Sequence, residues 1–153
     1  MNHRDELYNI AEAYCRSQNW HYSADRERYL ISFGMNLKNK LKSTKVWIDV
    51  KETTIVVFAV CPLNADPADR PKIAEFITRA NYGLLLGNFE LDYQDGEVRY
   101  KATISATTSL PSMDDVERVV DVTFLMMQRY GDGLCKLIMS YGEPEELIKE
   151  CEA

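Results

Sequence analysis

The sequence predicts an α+β fold, a five-stranded antiparallel sheet with helices packed mainly on one face. Three observations lead there. Tyr29, Ile31, Phe33, Met35 and Leu37 alternate with polar neighbours, and so do Val46, Ile48 and Val50, the pattern of half-buried strands. Short connections join successive strands, which favours antiparallel pairing. Apolar residues at three- and four-residue spacing mark helices before, between and after the strands. The element order is α-βββ-α-ββ-α with a short helical tail.

The first helix runs from about Asn2 to Ser17. Asn2 is a capping residue, Asp5 and Glu6 suit the positive end of the dipole, and Leu7, Ile10, Ala11 and Tyr14 share one face. The segment NWHYSADRE reads as a loop into the first strand. The basic stretch KNKLKSTK reads as a hairpin connection. IVVFAV, residues 55–60, is apolar at every position and predicts a central strand covered on both faces. CPLNADPADRP is a loop that ends with Asp69 as a helix cap and Pro71 in the first turn. The following helix, from Lys72 to Leu86, buries Ile73, Ile77, Ala80 and Leu84 and stops at Gly87.

A hairpin follows. Phe89, Leu91 and Tyr93 share a face, matched by Val98, Tyr100, Ala102 and Ile104, and Asp95-Gly96 supplies the turn. Ser112 and Asp115 resemble a capping box for a helix whose apolar face repeats from Val116 to Tyr141; one long helix, straight or kinked near Gly131 and Gly133, fits better than two. GEPEELIKEC starts the tail at about 143–153. With 153 residues and no linker or repeat, the chain reads as one domain over 1–153.

Composition narrows the function classes. Lys and Arg number 18 against 24 Asp and Glu, a net charge of −6, which disfavours a nucleic-acid partner. No apolar run reaches the ~18 residues that span a bilayer. The charged start MNHRDELYNIAEAYC lacks the apolar core of a signal peptide, so a cytoplasmic location without membrane attachment is expected. Cys15, Cys61, Cys135 and Cys151 form no CxxC pair and read as free thiols.

Catalytic chemistry is not visible. His3 lies in a frayed terminus and His21 in a loop, and neither has a nucleophile or an orienting carboxylate nearby in the pattern. Cys15 and His21 lack the further pair that would complete a metal site, so no metal and no cofactor are expected. Asp114, Asp115 and Glu117 complement a helix dipole. Gly83 and Gly87 follow a helix, whereas a phosphate cradle precedes one. Lys38, Lys40, Lys42 and Lys45 read as a solvated hairpin end that guards a strand edge, with binding of an anion or an acidic partner as the alternative.

Binding is the better-supported class. Trp47 faces away from the helix-covered side. Either it is exposed and forms a patch with Trp20 and Tyr22, or the N-terminal loop folds over it. Gly83 inside a helix costs about 1 kcal/mol against Ala. A close helix contact would account for it, which makes Ala80, Gly83 and Leu84 a candidate dimer surface.

Gly87, Phe89, Asp92, Gly96, Val98 and Tyr100, with Asn81 on the preceding helix, resemble the helix-hairpin signature of the YbjN family, labelled as bacterial sensory transduction regulators. The likeness covers most of the chain. It implies a fold similar to type III secretion chaperones, which are small acidic dimers that bind an extended client segment. It carries no catalytic residues. It places Asn81 and Tyr82 where the helix meets the hairpin, as residues that hold that junction or contribute to binding. The expected function is a non-enzymatic protein- or peptide-binding module, chaperone-like or regulatory, acting as a homodimer. The alternative is a small-molecule sensor or enzyme with a pocket between sheet and helices, using Arg79, Asn81, Asp92 and Arg99.

Overall fold

The computed structural model describes residues 2–153. Four helices and six strands follow in the order α1 (His3–Ser17), β1 (Tyr22–Asp25), β2 (Leu30–Asn36), β3 (Ser43–Val50), β4 (Thr54–Val60), α2 (Arg70–Asn81), β5 (Asn88–Leu91), β6 (Val98–Ser105), α3 (Met113–Ile138) and α4 (Pro144–Glu152). The strands form one antiparallel sheet ordered β1-β2-β3-β4-β6-β5.

The sixth strand is a correction. YSAD in the expected loop pairs with β2, Tyr22 opposite Phe33 and Asp25 opposite Leu30. Its four residues are mostly exposed and carry no apolar alternation, so pairing with a neighbour makes the strand, and pattern does not reveal it.

The inner face is read directly from the register. Tyr22, Phe33, Val46, Ala59, Tyr100 and Phe89 form one row across all six strands, and Ile31, Ile48, Val57 and Ala102 run beside it. These residues join Leu7, Ala11, Ile73, Phe76, Val120, Met127 and Leu134 from the helices in a single buried cluster. The helices therefore lie on this face only. β4 is central, between β3 and β6, as expected, but it is covered on one side rather than both. Ile55, Val57 and Ala59 are buried, while Val56, Phe58 and Val60 are half-buried on the outside.

Both long helices start with the predicted caps. Asn2 and Asp5, and Ser112 and Asp115, form reciprocal capping boxes. His3 is not frayed, since its Nε2 lies 2.6 Å from the Ala106 carbonyl, which requires a proton on that nitrogen. α3 runs unbroken through its glycines because each admits a neighbour. A Cβ on Gly131 would lie 2.2 Å from the Asn39 amide, and one on Gly133 would lie 2.5 Å from the Phe76 ring. Tyr141 falls beyond the helix and is exposed.

α2 is shorter than the pattern predicts. It ends at Asn81, and Tyr82 is already extended. Gly83 is outside the helix at φ +90°, with nothing within 4 Å of its missing Cβ, so no close helix contact explains it. Gly87 leads into β5 and does not cap the helix. Asp69 holds the N-cap position, but its carboxylate accepts from the Ser140 hydroxyl at 2.9 Å and makes no cap bond, which ties α2 to the turn after α3.

Candidate binding surface

No helix covers the outer face of the sheet, and its register defines what it shows. Ser23, Ser32, Trp47, Phe58, Lys101 and Asn88 form one row. Gly34, Lys45, Val60, Arg99 and Glu90 form the next. Leu30, Asp49, Val56 and Thr103 lie on the other flank. Trp47 and Phe58 are thus directly opposed cross-strand neighbours at the middle of an uncovered sheet. Cross-strand aromatic pairs of this kind contribute up to about 1 kcal/mol, and the remaining ring surface stays available.

Cations sit on both rings. The Lys45 ammonium is 4.5 Å from the Trp47 ring centre, and the Arg99 guanidinium carbon is 4.6 Å from that of Phe58. Arg99 and Lys101 both donate to Glu90, each at 2.8 Å. Burial alone would push the Glu90 carboxyl up. The hydrogen bonds from Lys101 and Arg99 outweigh it and hold the carboxyl below its ordinary range. Two shallow open clefts flank Trp47, with volumes of about 460 and 360 Å³, and Trp47 and Lys45 line both.

The structure does not assemble the patch drawn from the three aromatics. Trp47 is half-buried on the open face. Trp20 packs on the helix side against Phe33 and Tyr14, with ring centres 4.6 and 5.6 Å away. Tyr22 is on that same side and donates its hydroxyl to Glu12 at 3.2 Å. The loop that holds Trp20 therefore does not reach Trp47. Phe58 takes the place expected of Trp20 and Tyr22. A continuous apolar run hid it, since alternation cannot be read where every position is apolar.

The other named residues are scattered. Asn81 is bound to β5: it donates to the Phe89 carbonyl at 3.1 Å and accepts from the Phe89 N–H at 2.7 Å. Tyr82 and Leu85 are wholly exposed in the α2–β5 loop. Of the candidate dimer residues, Ala80 is fully buried, Leu84 packs on the core and Gly83 is at the surface, so they do not form one exposed patch. Lys38, Lys40 and Lys42 sit at a hairpin end docked on α3, where the Lys38 and Lys40 N–H groups donate to Gln128 and Asp132. His21 is exposed.

The groups considered for a sheet–helix pocket do not form one: Asp92 and Arg99 line an open cleft of about 390 Å³ with Glu90 and Glu97 at the β5–β6 end of the sheet, and each group has a structural partner. Arg79 pairs with Glu75, Arg99 with Glu90, and Asp92 caps the Gln94 N–H in the hairpin turn. Among the described residues no three metal-ligating side chains come together, and no helix is long and apolar enough to cross a membrane.

A sequence model of the YbjN family, described as "Putative bacterial sensory transduction regulator", matches residues 9–136. The chain belongs to the YbjN family. Its fold is similar to the crystal structure of YbjN from E. coli, with a TM-score of 0.62 at 11% identity, covering 83% of this chain and 92% of that one. It is also similar to a chain of the HopA1–SchA chaperone–effector complex, with a TM-score of 0.53 at 14% identity, covering 87% of this chain and 98% of that one. No curated protein matches by sequence. The YbjN helix-hairpin residues have evident structural work here. Asn81 fastens α2 to β5, and the Tyr100 hydroxyl donates to the Leu86 carbonyl at 2.6 Å, pinning the connecting loop.

Proposed function

We propose that the chain is a non-enzymatic protein- or peptide-binding module, chaperone-like or regulatory, and that its outer sheet face is the binding surface. One observation carries the reading: a six-stranded sheet leaves one face without any helix and centres Trp47 and Phe58 on it, under cations. Aromatic residues and arginine are the groups enriched where proteins meet. The likeness to a chain of a chaperone–effector complex supports a protein client. The ionisable groups of the alternative pocket are tied into structural contacts, which favours binding over catalysis. A homodimer and a cytoplasmic setting belong to the same proposal and rest on the family resemblance.

Capture experiments test this reading. Native lysate passed over the wild-type protein and over a Trp47→Lys, Phe58→Lys variant should yield a partner that only the wild type retains. A Leu125→Lys control should behave as wild type, because Leu125 is exposed on α3, on the opposite side of the sheet. Equal retention by all three proteins would exclude the sheet face.

A further inference from the structure

Resting on the homodimer that belongs to the proposed function, we infer where its interface lies: the open edge of β1 pairs antiparallel with the same strand of a second copy, about a twofold axis at Ser23. The edge is bare. β1 is the last strand of the sheet, and no hydrogen bond described reaches its outward backbone groups, whereas Asn81 occupies those of Phe89 on the other edge strand. Ser23, Ala24 and Asp25 are exposed. The segment His21–Asp25 holds neither proline nor lysine, the residues that commonly guard an edge.

The pleat fixes the register and selects a second copy as the occupant. Tyr22 and Ala24 face the helix side, Ser23 and Asp25 the open side. Residues directly opposite one another share a face, so a twofold axis passes through a residue and not between two. Arg26 is outside the ladder, because its carbonyl accepts from the Tyr29 N–H in the turn. An axis at Ser23 therefore centres the pairing on His21–Asp25. It sets each Tyr22 ring against the small, exposed Ala24 of the second copy, and each His21 against an Asp25 carboxylate, while the two Ser23 hydroxyls meet on the axis. Charges beside the edge cancel. Arg26 pairs with Glu12 and Arg28 with Asp25, and Arg16 and Glu27 are of opposite sign. A second copy thus meets no like-charged surface here, although the chain carries a net charge of −6. Joined this way, the two sheets present their open faces on the same side, and Trp47 and Phe58 on β3 and β4 stay uncovered.

Sedimentation of the full chain over a concentration series tests the edge. The wild type should dimerise. Ser23→Lys, which sets two ammonium groups on the axis, should raise the dissociation constant at least about tenfold. Ser109→Lys, the same change at an exposed site in the β6–α3 loop, should leave it unchanged. In a Cys151→Ser background, Ser23→Cys should form a disulfide between copies on oxidation, because opposed Cβ atoms lie within reach, whereas Glu27→Cys in the following turn should not. The Trp47→Lys, Phe58→Lys variant should dimerise as the wild type does, which separates this inference from the client surface. Dimers that Ser23→Lys leaves intact would overturn the edge as the interface, and so would a monomeric wild type; either result leaves the client surface to be judged by its own variants. A monomeric wild type whose captured partner is lost in Ser23→Lys would assign the edge to a client strand instead.

Discussion

Asn81 holds Phe89 by both of its backbone polar groups. The side-chain oxygen accepts from the Phe89 N–H at 2.7 Å, and the amide donates to the Phe89 carbonyl at 3.1 Å. β5 is an edge strand. One carboxamide thus satisfies groups that would otherwise be open to another chain, and it anchors α2 to the sheet at the same time. The second edge strand, β1, has no such plug among the hydrogen bonds described.

Asn81→Ala leaves two part-buried backbone groups without their partner. It should cost about 1–3 kcal/mol in urea unfolding. Asn81→Asp keeps the acceptor but loses the donor, so it should fall between the two at neutral pH. Sedimentation should also show more self-association in the alanine variant, through the freed edge.

Gly133→Ala opposes two effects. Alanine favours the helix by about 1 kcal/mol. The new methyl would, however, meet the Phe76 ring at 2.5 Å, inside the α2–α3 contact where Phe76 is fully buried. Overpacking of that kind costs about 1–3 kcal/mol. The net change should be a loss of stability, read from thermal unfolding, with Phe76→Leu in the same background recovering part of it.

Glu90 sets a pH dependence. Its carboxyl is held below its ordinary range in the folded chain, so the stability it contributes is present above the unfolded value of about 4.3 and is lost as pH falls through the folded value. The stability difference between wild type and Glu90→Gln should therefore be constant at neutral pH and narrow on acidification below about pH 4.3. A difference that widens on acidification would contradict the pairing with Lys101 and Arg99.

The cysteines should react in a set order. Burial pushes the Cys15 thiol up to about 12 and the Cys61 thiol up to about 11. Thiolate is the reactive form, so both should resist a disulfide reagent at neutral pH until the chain unfolds. Cys151 is only half-buried, on α4, and should be modified first. Mass spectrometry of the labelled chain identifies the order.

What could be read from sequence followed the strength of local signals. α1 and α3 were legible because their caps are side-chain chemistry and their apolar faces are long. β2, β3 and the β5–β6 hairpin were legible from alternation and from Asp95-Gly96. β1 was not, because an exposed edge strand of YSAD owes its conformation to Phe33 and Ile31 across from it. The end of α2 is not legible because Leu84 and Leu86 keep apolar spacing after the backbone has left the helix. Alternation puts Trp47 on the open side of its strand, but no local signal singles out its companion. IVVFAV shows no period, and only pairing reveals that Phe58 lies opposite Trp47.

Site-specific photocrosslinking in cells tests the central claim most directly. A photoreactive phenylalanine analogue placed at Trp47 or Phe58 should give an adduct with a distinct protein partner, while the same group at the exposed Leu125 of α3 or at Tyr82 should give none. Adducts formed only from Leu125 or Tyr82, or only between copies of the chain itself, would contradict the assignment of the open sheet face as the surface that binds a client.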